Sequence, residues 1–254
     1  MIKFFRKIRQ QLLAENKTGK YLKYAIGEIL LVVIGILIAL QINNWNQTRL
    51  NRSFEVTMLR EIKSSLEQDF NYYDGFKSRV ERKRQGIQEL LAMIASNKTY
   101  PDTVLLESYN KMTWGNLFVI NKGGYEGIKS VGLDKISNNS LRRKIIKIYE
   151  VDLPGVISYY EMMEASRSNE DYKLQLHNSL WKHVQIQLPD NSYKIVSRPI
   201  NNESFLKQPE LIDRIKIAQD IFYYTKFQMP HLENTIKAGI DIVNKEIDKL
   251  KKSD

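Results

Sequence analysis

The stretch Ile29-Leu30-Leu31-Val32-Val33-Ile34-Gly35-Ile36-Leu37-Ile38-Ala39-Leu40 carries no polar side chain. A run of this length is short for a membrane span and would also suit a buried core helix. The flanks extend it, because from Ala25 to Ile42 only Glu28 and Gln41 are polar, both near the ends. As a helix that segment covers about 27 Å, against a hydrocarbon core of about 30 Å. Its Leu, Ile and Val side chains together favour the bilayer by about 4 to 7 kcal/mol, whereas one carboxylate opposes insertion by at most about 3.5 kcal/mol. Insertion wins, and residues 25–43 are expected to form a transmembrane helix. Tyr24 and Trp45 stand where interfacial aromatic anchors belong. The run ends in Ala39-Leu40-Gln41-Ile42-Asn43-Asn44-Trp45, without a small-x-small cleavage pattern, so an uncleaved anchor is expected.

Charge on either side of this helix predicts its orientation. Residues 1–24 contain Lys3, Arg6, Lys7, Arg9, Lys17, Lys20 and Lys23 against Glu15, a net +6. Residues 43–62 carry Arg49, Arg52 and Arg60 against Glu55 and Glu61, a net +1. Positive charge stays on the cytoplasmic side, so the N-terminus is expected in the cytoplasm and residues 44–254 outside it. The Lys-, Asn- and Ile-rich composition suggests a bacterium, which makes the address the inner membrane with a periplasmic domain. The chain is +10 overall, but only +4 remains outside the basic stub. The surplus is therefore a topology signal, and a nucleic-acid-binding face is not expected. No cysteine is present, which excludes thiol catalysis and thiolate metal sites.

Within the stub, Ile2, Phe4, Phe5, Ile8, Leu12 and Leu13 fall on one helical face and Lys3, Arg6, Lys7 and Arg9 on the other. This pattern predicts a basic amphipathic helix resting on anionic lipid, or alternatively docking a cytoplasmic partner. Thr18-Gly19 is expected to break it. Inside the span, Glu28, Gly35, Ala39 and Ile42 share a face, and Gly35 and Ala39 form a small-xxx-small pair that lets another helix approach. Three roles stay open for Glu28: snorkelling towards Lys23, contact within an oligomer, or uptake of a proton.

The remainder reads as helix. Leu59, Ile62, Leu66, Phe70, Tyr73, Val80, Ile87, Leu91 and Ile94 form one apolar stripe, and Glu67, Asp69, Lys77, Arg79, Glu81, Arg82 and Lys83 are expected on the other faces. Asn97 to Pro101 reads as a turn, with Asp102 or Thr103 capping a short helix to about Met112. Gly115 to Gly132 is less regular, and Gly123-Gly124 is read as part of a turn. Ser137 to Ser140 restarts helix, and Pro154 suits the first turn of another running to about Val184. Ile195 and Val196 are allowed an extended segment at most. Pro209 opens a helix that Pro230 is expected to kink or break, and residues from Ile236 to Leu250 finish the chain as a last amphipathic helix. The expected fold is all-α: one membrane helix, then an extracytoplasmic bundle of about four long helices with irregular insertions.

No catalytic residue, cofactor site or metal site emerges. His177 and His183 are six apart, off the i, i+4 spacing of a zinc helix, and His231 stands alone. Lys122-Gly123-Gly124 lacks the second half of a phosphate-binding loop. Glu161, Glu164 and Asp171 read as a charged outer face. Tyr72-Tyr73, Tyr159-Tyr160 and Tyr223-Tyr224 are expected to pack one ring inward each, with a ligand cage as the alternative.

Several stretches carry a resemblance. These are Lys3-Phe4-Phe5-Arg6-Lys7-Ile8-Arg9, Glu15-Asn16-Lys17, Tyr24-Ala25-Ile26-Gly27-Glu28-Ile29 and Val33 through Asn46. Together they resemble the N-terminus of an uncharacterised family of single-pass membrane proteins from Bacteroidota. Gly124-Tyr125-x-x-Ile128-x-x-Val131-Gly132 and Ile136-x-Asn138-Asn139-x-Leu141-Arg142 are similar to that family's middle, although Leu and Ser are more usual at positions 128 and 131. The resemblance implies a membrane address and brings no catalytic residues. The expected role is a non-enzymatic anchored protein whose helical domain binds a protein partner or itself; the alternative is a sensory or ligand-binding subunit signalling through the membrane helix.

Overall fold

A single helix, α1, runs from Thr18 to Ser96 in a computed structural model that describes residues 18–115, 118–167 and 170–252. The basic helix expected for the stub, with Lys3, Arg6, Lys7 and Arg9, lies outside the described residues. Gly19, expected to help break it, is already helical. The chain divides into two units at Val56/Thr57.

In the first unit, every residue from Ile29 to Leu40 is exposed. Leu31, for example, keeps 59% of its surface open. An unbroken apolar surface of this kind is unfavourable in water and marks a membrane or partner contact. The segment is long and apolar enough to cross a membrane, with a mean hydropathy of 2.6 over its best window. Trp45 is exposed, and the Arg49 guanidinium sits 5.8 Å from its ring centre. The side chain of Tyr24 lies outside the described residues.

The second unit is mostly helical with one small sheet. After the turn at Asn97 come α2 (Asp102–Thr113), α3 (Gly123–Val131), α4 (Asn139–Lys147), a π-helical segment (Ile148–Asp152), α5 (Leu153–Arg167) and α6 (Glu170–Leu180). Strands β1 (Trp181–Gln187) and β2 (Tyr193–Pro199) follow, and α7 (Pro209–Lys252) completes the unit. Contacts between α1 and α7 run in opposite directions along the two helices. Lys63 Nζ donates to Asn244 Oδ1 at 3.0 Å, and one end further on the Tyr73 hydroxyl donates to Glu233 Oε2 at 3.2 Å. The two helices are therefore antiparallel, and their facing stripes form the core, with Leu59, Ile62 and Leu66 opposite Ile236, Val243 and Ile247, all buried.

Several expectations need correction. The all-α reading misses an antiparallel hairpin that pairs Trp181 with Pro199 through Gln187 with Tyr193. Its loop is built by turn chemistry: Asn191 takes φ +64°, and the Asp190 carboxylate accepts from the Ser192 N–H and hydroxyl. Consequently the preceding helix ends at Leu180 rather than near Val184. Of the kink or break expected at Pro230, the break does not occur: α7 continues through it as one helix, so Ile236 to Leu250 belong to α7. The apolar stripe of α1 shifts near its end, where Leu90 and Met93 are buried in place of the 40% exposed Leu91. There the buried face of α1 turns towards the following helix, α2: a Cβ at Gly86 would come within 2.4 Å of the Met112 nitrogen, and Leu91 points away from that contact. Finally, Asp69 and Lys83 are both buried, not on the outer face.

Pro101, not Asp102 or Thr103, occupies the cap position of α2, without side-chain help. Asp102 instead accepts from Asn202 Nδ2 at 2.6 Å, tying the segment after β2 to the start of α2.

Candidate functional site

Asp69 is a buried carboxylate on α1 with one of its two oxygens bonded, and the local structure explains how it is held. Gly124 near the start of α3 lies against the backbone of α1. A Cβ there would come within 2.5 Å of the Glu61 carbonyl and 2.6 Å of the Ile62 nitrogen. Glycine is thus required by close approach of two backbones, a different reason from the turn expected of it. The contact is reinforced by polar groups one helical turn apart. The Gly124 N–H donates to Ser65 Oγ at 3.0 Å, and the Asn121 N–H donates to Asp69 Oδ1 at 2.7 Å.

Tyr125, the next residue, stacks on Tyr149 with ring centres 4.8 Å apart and planes 9° apart. The Tyr125 hydroxyl and Lys129 Nζ both donate to Glu150 Oε1, at 2.9 and 2.7 Å. Burial, then the Glu150 bond, push the Tyr125 phenol up to about 12. Tyr149 and Glu150 belong to the π-helical segment. Pro154 accounts for that segment, since it has no N–H to offer the Glu150 carbonyl. The ladder widens by one residue, and the Leu153 N–H donates to the Ile148 carbonyl.

Two polar atoms remain buried without a partner among the described residues here: Asp69 Oδ2 and the Tyr149 hydroxyl. They feel each other, because burial and then the Asp69 charge push the Tyr149 phenol upward. Burial also pushes the Asp69 carboxyl up to about 6, despite the opposing bond from Asn121. A carboxyl in that state holds or releases a proton near neutral pH inside the core. Once protonated it has a donor that a phenol oxygen accepts.

A second cluster joins α2, β1 and α7. The Tyr109 and Trp181 rings lie 5.1 Å apart at an edge angle, both buried; burial raises the Tyr109 phenol, while the facing Arg214 and Trp181 N–H groups oppose that rise. Although six apart in sequence, His177 and His183 have ring centres 6.0 Å apart, because the chain changes from helix to strand between them. Burial, then His183 and Arg214, hold the His177 imidazole below its ordinary value. Periodicity alone missed this pairing.

Other residues singled out from sequence are placed as follows. Asn138 caps α4, accepting from the Ser140 and Leu141 N–H groups, while its amide donates to the buried Glu246 at 2.7 Å. Tyr73 is buried and Tyr72 exposed. Tyr224 meets Tyr159 edge-on at 6.2 Å, with Tyr223 exposed. Glu161 and Asp171 are exposed, as a charged outer face requires, and the side chain of Glu164 lies outside the described residues. Glu28, Gly35 and Ala39 share a face of α1, and a Cβ added at Gly35 meets nothing within 4 Å, so that face is open to a neighbour.

No curated protein and no solved structure matches this sequence. A family model does match it from Glu28, inside the apolar segment, to Lys182 in β1. That interval contains the glycine contact, the Asp69 centre and the Asn138 cap. The chain therefore belongs to a family of unknown function, DUF6090, matched over residues 28–182.

Proposed function

We propose that this is a non-enzymatic envelope protein anchored in a bacterial inner membrane, whose helical domain faces the periplasm and binds another protein or itself. The observation that carries the reading is the continuous exposed apolar surface of residues 29–40, preceded in sequence by the strongly basic stub. Orientation is testable because the chain lacks cysteine. Single thiols at Lys7→Cys and at the exposed Ser130→Cys are expected to report opposite sides. In cells with a permeabilised outer membrane, an impermeant maleimide should label position 130 and spare position 7. The reverse pattern overturns the orientation.

Self-association is assigned to the face bearing Gly35 and Ala39. Packing of small residues is a main source of helix association in lipid, where no hydrophobic drive exists. Gly35→Ile is expected to reduce the signal of a membrane two-hybrid assay by about tenfold, corresponding to roughly 1.4 kcal/mol of lost contact. An unchanged signal removes this face from the proposal.

The sensory reading is favoured by one observation, the convergence of Tyr109, Trp181 and Arg214 in the core.

A further inference from the structure

A groove of about 410 Å³ lies between α7 and the stretch joining α4 to the π-helical segment. Its wall on α7 is formed by His231, Asn234, Thr235, Ala238 and Ile242. That spacing keeps to one helical face over about 16 Å, three turns of helix. Apolar surface is supplied by Ile148, Ala238 and Ile242, and charge by Lys144, Lys147 and Asp152. Asp152 is already engaged by Lys147 at 2.6 Å. Lys144 and His231 are exposed, with no bonded partner among the described residues. Helix α4, which carries Lys144, also bears Arg142 and Arg143 and no acidic residue. The groove thus presents a long apolar strip with surplus positive charge on one side.

From this charge and shape we propose that the groove docks a short amphipathic segment of a partner protein bearing Asp or Glu along one edge. Its length suits about three helical turns, and recognition by apolar anchors spaced three and four apart is a common mode. Complementary charge fixes the partner's orientation and excludes basic segments. The proposal rests on the protein-binding reading above and names the chemistry of the partner. An anionic lipid headgroup would be a different occupant, and the test separates the two.

A photo-crosslinking amino acid placed at Thr235 or Ala238 of the full-length protein, irradiated in cells and followed by mass spectrometry, reads the occupant directly. The expected adduct is a peptide with acidic residues flanking apolar ones, and Lys144→Glu is expected to lower its yield about tenfold, with Lys144→Gln between the two. Lys144 is exposed, so neither change threatens folding. Lipid adducts, adducts to basic segments, no adduct, or a yield indifferent to Lys144→Glu would each overturn the groove proposal. A crosslinker at the exposed Ile195 of the hairpin serves as a second site. Protein adducts there without any at the groove reject the groove alone; none at either position rejects the protein-binding reading as well.

Discussion

Gly124→Ala is expected to destabilise the helical domain by about 3 kcal/mol, the upper range for forcing atoms into a packed interface. The added methyl would meet backbone atoms of Glu61 and Ile62 at 2.5–2.6 Å. Backbone cannot rotate away as a side chain can, so α3 must lift off α1. Lifting it also strains the Gly124–Ser65 and Asn121–Asp69 hydrogen bonds, leaving buried groups unpaired. For a domain of about 200 residues the loss corresponds to a fall in Tm of roughly 10 °C, read by the helical circular dichroism signal of the full chain in detergent. Gly127→Ala provides the control on the same helix. A Cβ at Gly127 meets nothing within 4 Å, so the change should be neutral or stabilise by up to about 1 kcal/mol through helix propensity. Equal Tm values for the two variants would refute the close-approach account.

Asp69→Asn is expected to stabilise the domain at pH 8 and to do little at pH 4. Burial pushes the Asp69 carboxyl up to about 6 in the folded state, whereas an unperturbed aspartate ionises at 3.8. Between these values the folded state binds more protons than the unfolded one. Stability from this group therefore falls as pH rises through the window, and above it the ionised carboxylate weakens the fold by about 2–3 kcal/mol. Asparagine cannot ionise, and its oxygen can still accept the Asn121 N–H. Its amide nitrogen would face the side where Asp69 Oδ2 now lacks a partner. Denaturant titrations of the wild type and variant at several pH values give the comparison. The gain should grow from pH 4 to pH 7 and then level off. A difference independent of pH would show that Asp69 does not titrate in this range.

Much of this centre was legible in sequence. Asp69 follows Ile62 by seven residues and Leu66 by three, which places it within the apolar stripe of α1. Lys83 likewise stands three residues after Val80. Reading charged residues as outward-facing by type, rather than by position, concealed both. The hairpin was legible too, since Pro189-Asp190-Asn191 is a turn signal between runs that alternate, Val184 and Ile186 before it and Tyr193 and Ile195 after. The need for Gly124 was not legible. Nothing in Gly123-Gly124 separates a turn from a backbone contact with residues some sixty positions away. Pro230 shows the opposite limit: a residue that breaks isolated helices is carried within α7, whose flanking residues Leu232 and Ile236 are buried.

Sequence by itself determined the apolar segment, the charge asymmetry around it and the dominance of helix, because each depends on side-chain transfer energies and local periodicity. Tertiary structure alone decided that Tyr125 stacks on Tyr149, that His177 approaches His183, and that one Asp69 oxygen has no hydrogen-bond partner among the described residues. These depend on which distant segments share a space, and a pattern along one chain carries no measure of that distance.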